Sequence, residues 1–248
     1  IRPTTIPQTL NALKIEQAIA REALRLSFKQ HKKFAVDLRG VQKERTISDA
    51  FEQSGSGNTL VNMLELDLLV GSGGVLSHAP RRSQAARMLI DAFLPEGITQ
   101  LAVDSIFMMP QLGLLSTVHP KAALEVFEKD CLIRLGSCIA PTGVYKPGKP
   151  VLHYEFKLPE GDVNGDLMPG EIKLISAPYK PVKVKLIPAK GLDVGNGKNE
   201  IIEKEVFGGV VGFILDGRGR NPFVLPQDIP NRVAKLREWS IETKEYPK

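Results

Sequence analysis

The chain has 248 residues, 42% hydrophobic and 25% charged, with a formal net charge of +5 at pH 7. That length and balance suit one large or two modest globular domains with a buried core. No apolar run reaches the roughly 20 residues of a membrane-spanning helix, and the lysines clustered between Lys173 and Lys198 are not interleaved with aromatics, so neither a membrane nor nucleic acid is expected as a partner.

The first residues, Ile1-Arg2-Pro3-Thr4-Thr5, show neither an initiator Met nor a charged-then-apolar leader, and read as the interior of a longer protein. A long helix follows. Thr9 can cap it, Ile15, Ala18, Ile19, Ala23 and Leu26 recur on one face, and Gly40 is a stop signal. Residues 51–58, rich in Gly and Ser, read as a loop. Leu64 to Val70 is apolar at nearly every position, as in a strand buried on both faces. Directly after it comes the turn Gly71-Ser72-Gly73-Gly74. A helix is expected from Pro80, with Ala85, Met88, Leu89, Ala92 and Phe93 inward, ended by Pro95-Glu96-Gly97. Leu101-Ala102-Val103 is a short buried strand, with Asp104 placed to hold a ligand hydroxyl or, the preferred reading, to cap the small helical segment entered by Met108 to Gly113. Pro120 opens another helix to about Lys129, with Ala123, Val126 and Phe127 inside.

Beyond about Ile139, Pro and Gly become frequent and the periodicity changes. Strands are expected at Val151 to Leu158, Glu171 to Ile175, Val182 to Ile187, Ile201 to Val206 and Val210 to Leu215. Val182, Val184 and Leu186 alternate with Lys183 and Lys185, the mark of a half-buried antiparallel strand. Short strands with frequent turns point to a small β-barrel or sandwich. Asp216-Gly217-Arg218-Gly219-Arg220 reads as a strand-to-strand turn before an anion site. A last helix from Pro230 should bury Val233, Leu236 and Trp239. The resulting division is an α/β unit over 1–140, a β-rich appendage over 141–225 and a helix with tail over 226–248. Cys131 and Cys138 sit in apolar company and read as inert thiols of a reducing cytoplasm. His31, His119 and His153 have no partner at metal-ligand spacing, and His78 beside Arg81 reads as a polar loop residue or a phosphate contact.

A strand ending in glycines before a helix is suited to ligand binding at the carboxyl edge of a sheet. The dinucleotide fingerprint fails because Leu76 stands where its third glycine belongs, and no phosphate-loop Gly-Lys-Ser/Thr occurs. An adenosine motif of the actin-like kind survives, alongside a purely structural turn.

The stretch Leu66-Asp67-Leu68-Leu69-Val70-Gly71-Ser72-Gly73-Gly74-Val75-Leu76-Ser77-His78-Ala79-Pro80-Arg81-Arg82-Ser83-Gln84-Ala85 resembles the C-terminal half of the MutL family associated with glutamate mutase (unrelated to the mismatch-repair protein of that name). Leu101 to Gly113, Gly208-Gly209-Val210-Val211-Gly212, Asp216 to Arg220 and Lys235 to Trp239 are similar as well. The resemblance implies an actin-like, ribonuclease H-like half-domain followed by the β-rich barrel or sandwich. It implies an ATP-binding, chaperone-like protein that reactivates a cobalamin-dependent mutase. Gly71, Ser72, Gly73 and Gly74 would lie under the adenosine, with Ser77 and Arg81 reaching base or ribose. ATP or ADP with Mg would be the cofactor. The family's Asp-Gly-Ser/Thr phosphate loop and metal-binding carboxylate have no counterpart in this sequence, so an ATPase is expected only as part of a longer protein. Two other classes stay open: a small-molecule kinase akin to the acetate and sugar kinases, and a non-catalytic interaction module.

Overall fold

The computed structural model describes residues 6–35, 60–220 and 225–247. The expected helix stop at Gly40 and the loop at 51–58 lie outside the described residues.

Helix α1 spans Leu10–Phe34, and the Thr9 hydroxyl accepts the Ala12 N–H at 3.2 Å. Its inward face is not the one the apolar spacing suggests. Ile15, Ile19 and Leu26 are 60%, 43% and 50% exposed, whereas Gln17 is buried and Ala20, Leu24 and Phe28 pack inward. Polar partners choose the face: Tyr246 Oη donates to Gln17 Oε1 at 2.6 Å, and Arg21 pairs with Asp91 and Glu245. Turning Ile15 and Ile19 inward would strand those groups, and a lost buried polar partner costs more than an exposed isoleucine.

Strand β1 covers only Leu68–Gly71, because Met63–Glu65 forms a 3-10 turn capped by the Asn62 side chain. There follow α2 (Gly74–Ser77), α3 (Arg82–Phe93), β2 (Gly97–Asp104), α4 (Met109–Ser116), α5 (Pro120–Val126) and β3 (Leu132–Ala140). A single π-helical turn, Phe127–Cys131, joins α5 to β3. The second half supplies β4 (Leu152–Leu158), β5 (Gly161–Leu167), β6 (Ile172–Ile175), β7 (Pro181–Pro188), β8 (Ile202–Phe207), β9 (Gly212–Asp216) and α6 (Ile229–Glu242).

Two sheets result, making the protein mixed α/β. The first runs β1-β2-β3-β9-β6 and mixes parallel pairs (β1 with β2, β3 with β9) with antiparallel ones. Strand β1 is therefore an edge, with Leu68 37% exposed, and not a strand buried on both faces. The second sheet, β5-β4-β7-β8, is wholly antiparallel. It ends at β5 and β8, so no closed barrel forms. Strands β6 and β9 lie beyond residue 140 yet complete the first sheet.

The molecule is layered by its cores. Ile139, Phe213 and Leu215 of the first sheet pack against Tyr154, Phe156, Val184, Leu186 and Val206 of the second. On the opposite face, Leu101, Val103, Leu135 and Ile214 lie beneath Ala85, Met88 and Leu89 of α3. Of the residues expected to bury α6, only Trp239 does so, at 2% exposed, while Val233 and Leu236 remain 38% and 43% exposed. Trp239 anchors the helix: Nε1 donates to Gly170 O at 2.8 Å and the Arg218 guanidinium lies 5.0 Å from its ring, while Glu242 accepts the Leu174 N–H of β6 at 3.3 Å.

Candidate functional site

Parallel pairing of β1 and β2 brings Gly71 opposite Val103, so the glycine turn and Asp104 leave the same edge of the sheet. Each glycine there answers to a different demand. A Cβ on Gly71 would lie 2.9 Å from Leu76 Cδ1 and from Leu89 Cδ2, so it would have to displace the tips of those two leucines of α2 and α3. Gly73 has φ +119°, which side chains rarely adopt, and its carbonyl accepts the Leu76 and Ser77 N–H groups. Gly74 differs: it is the first residue of α2, it is exposed, and a Cβ there would meet nothing within 4 Å. Neither backbone conformation nor packing accounts for glycine at that position.

Asp104 organises the rest of the edge. It is fully buried, and its carboxylate accepts N–H groups from Met109 at 3.0 Å and from Ile106 and Met108 at 3.3 Å. Burial alone would raise its pKa. Those three N–H groups, with the Ser72 hydroxyl at 3.5 Å, outweigh burial and hold the carboxyl below its ordinary value. Asp104 is thus not the N-cap residue of α4, which is Met108, but its carboxylate fastens the helix entry through the Met109 N–H of the first turn. Ser77 is buried, and its hydroxyl donates to Asp104 O at 2.5 Å, fastening α2 to the end of β2. Ser72 is half-buried at the mouth of the turn.

Arg81 faces elsewhere. Its Nη1 donates to Lys244 O at 3.2 Å, while the Ser83 hydroxyl donates to the same carbonyl and Gln84 Nε2 to Glu245 O. The chain's C-terminal tail is seated there, on the first turn of α3. Ser72 and Ser77, on either side of Gly73 and Gly74, therefore reach Asp104, and Arg81 joins the tail.

Two aromatic residues complete the edge. Exposed His78 follows α2, and Phe107, 42% exposed, stands 6.5 Å from it between ring centroids. Phe107 has φ +61°, an outlier for a bulky residue that carries strain. Nothing in the sequence signals this, since phenylalanine is among the residues least expected in that conformation.

The other candidates resolve into structure. Arg218 folds back on Asp216 through Nε and Nη2 and reaches Asp91 Oδ1 at 2.7 Å; Arg220 Nη1 also binds Asp216. The Asp216 to Arg220 segment is thus an internal ion cluster after the last strand, not a strand-to-strand turn. Burial pushes the Cys138 thiol up to about 12, and Cys131 is also buried with its pKa raised by desolvation, so both are inert. His153 Nδ1 lies 2.7 Å from Asp166 on the exposed face of the second sheet. Among the described residues, no group of His, Cys, Asp or Glu is disposed to hold a metal ion, and no helix is long and apolar enough to cross a membrane. Clefts elsewhere are rimmed by the paired Lys185 and Glu203 of the second sheet, or lie between Phe28 and Lys29 of α1 and Phe93. Neither cleft includes the glycine turn.

Fold and site together define a mixed α/β protein whose first sheet ends, at the carboxyl edge of two parallel strands, in a glycine turn with one glycine left open. Residues 1–131 match the family described as MutL protein, more than half of the chain's 248 residues, and the chain belongs to that family. No curated protein and no solved structure matches it.

Proposed function

We propose that this chain forms the adenosine-side wall of a nucleotide-binding cleft in a chaperone-like protein that reactivates a cobalamin-dependent mutase. The observation that carries the reading is Gly74. Where the backbone permits a side chain, glycine is less stable than alanine by roughly 0.4–1 kcal/mol through the freedom it gives the unfolded chain, and its missing side chain leaves free space at an exposed edge. A flat base or ribose approaching the backbone uses that space. Membership of the MutL family supports the same reading, and an actin-like arrangement is part of the proposal.

In this scheme Gly73 and Gly74 lie under the adenosine of ATP or ADP. Ser72 offers its hydroxyl at the rim, and Asp104 and Ser77 keep α2 fixed to the sheet. Mg accompanies the phosphates. Nucleotide-dependent closure of the cleft would then alter the grip on the mutase.

Calorimetry with ATP and ADP tests the reading. Millimolar ligand should give saturable heat with the wild-type chain and none with Gly74→Val, whose fold should persist because a Cβ at this exposed position meets open space. No heat from the wild type sinks the proposal, and equal heat from both proteins would make the turn structural. Phosphoryl transfer from ATP to acetate or a sugar would favour the kinase alternative.

A further inference from the structure

Resting on the nucleotide reading above, we infer that Phe107 and His78 form the two walls of a slot that stacks the purine base beside Gly74. Three observations carry the inference. Phe107 is held at φ +61° although it is neither glycine nor asparagine. Such a conformation persists only where the surroundings enforce it. The enforcement is visible: the Asp104 carboxylate grips the N–H groups on either side of Phe107, those of Ile106, Met108 and Met109. A buried carboxylate and a strained backbone are thus committed to presenting one aromatic ring, and that ring stays 42% exposed.

The second observation is the spacing. The Phe107 and His78 ring centroids are 6.5 Å apart with 42° between their planes. A flat ring between two others needs about 7 Å, twice the carbon–carbon contact distance of roughly 3.5 Å. The two rings are tilted and within direct contact distance of each other, so a base enters by rotation of these exposed side chains apart and toward parallel.

The third is position. His78 directly follows the single turn of α2 that begins at Gly74, and Ser72 touches the same Asp104 that holds Phe107. The slot and the open glycine therefore share one edge. An aromatic slot recognises a planar base through its face and leaves the ribose to the glycine turn. On the adenosine reading above, the ligand class is a purine nucleoside or its phosphates, with the base contributing affinity independently of the phosphate tail.

The test compares the dissociation constants of adenosine, ATP and tripolyphosphate, by calorimetry, across wild type, Phe107→Ala, Phe107→Trp, Phe107→Gly and Gly74→Val, with thermal unfolding of each. Phe107→Ala should weaken adenosine and ATP by the same factor, about tenfold, and leave tripolyphosphate unchanged. Phe107→Trp should restore the lost affinity. Phe107→Gly should lose the same affinity without lowering Tm, because glycine relieves the φ that phenylalanine strains. Wild-type adenosine affinity in Phe107→Ala and Phe107→Gly, with binding abolished in Gly74→Val, overturns the slot and leaves the nucleotide site standing. No adenosine binding by the wild type overturns both.

Discussion

A methyl group added at Gly74 would meet no atom within 4 Å, whereas one added at Gly136 would lie 1.8 Å from the Gly212 carbonyl oxygen. The first glycine is unnecessary to the fold and the second indispensable, which leads to opposite expectations. Gly74→Ala should raise stability by about 0.5 kcal/mol in urea unfolding, the ordinary gain when alanine restricts the unfolded chain at a compatible backbone position, while weakening ATP binding in the same preparation. A stability gain without weaker binding would leave Gly74 unexplained. Gly136→Ala must combine a φ of +140° with a backbone collision. We expect a loss of about 3 kcal/mol or more, read as a lower urea midpoint, from strain and overpacking together. Both glycines were visible in the sequence, but their roles were not, because the difference lies in what each faces across the fold.

Helix α4 shows how an element can depend on one residue. Among its side chains only Leu112 is buried, so little apolar burial holds it and the Asp104 carboxylate at its entry carries much of its stability. Asp104→Ala should cost about 1–2 kcal/mol and speed amide exchange across residues 106–116 while exchange in β4 and β7 stays unchanged. Uniform exchange throughout would show that α4 does not depend on that carboxylate. Its hold on the helix entry was legible because an Asp ending a buried strand before a helical pattern is a local signal. Strand β5 was not: Gly161-Asp162-Val163-Asn164-Gly165-Asp166-Leu167 has the composition of a loop. It is a strand because β4 supplies a partner at every position from Leu158 to Leu152, and pairing overrides propensity. Strand β3 was hidden likewise, its apolar run broken by the Gly136 that its close parallel pairing with β9 at Gly212 requires. In α1 the apolar spacing was legible but the inward face was not, since Gln17 and Arg21 find their partners in the distant C-terminal tail.

At the scale of the whole molecule, one buried ion cluster joins parts of the chain that the sequence keeps far apart. Asp91 of α3 meets Arg87 at 3.1 Å, Arg21 of α1 at 3.5 Å and Arg218 after β9 at 2.7 Å. Glu245 of the tail pairs with Arg21 and lies 3.8 Å from Arg87. Asp216 at the end of β9 holds Arg218 and Arg220. The cluster is poor evidence of net stability, because desolvation opposes attraction, but losing one partner leaves a buried charge uncompensated. Glu245→Ala should therefore destabilise by about 3 kcal/mol and increase proteolysis of α1 before that of the sheets. The acid response has a definite sign. For both Asp91 and Asp216 burial would raise the pKa, yet the surrounding arginines outweigh it and hold each carboxyl below its ordinary value of 3.8. The unfolded chain thus binds these protons more readily than the folded one. Their stabilisation is complete above the ordinary value and is lost as pH falls through the lower folded values. Urea midpoints should be flat on account of these groups above about pH 5 and fall steeply below about pH 4, with a shallower fall in Asp216→Asn, which has already lost one of the two carboxylates. An equally steep fall in that variant would assign the acid sensitivity to other groups.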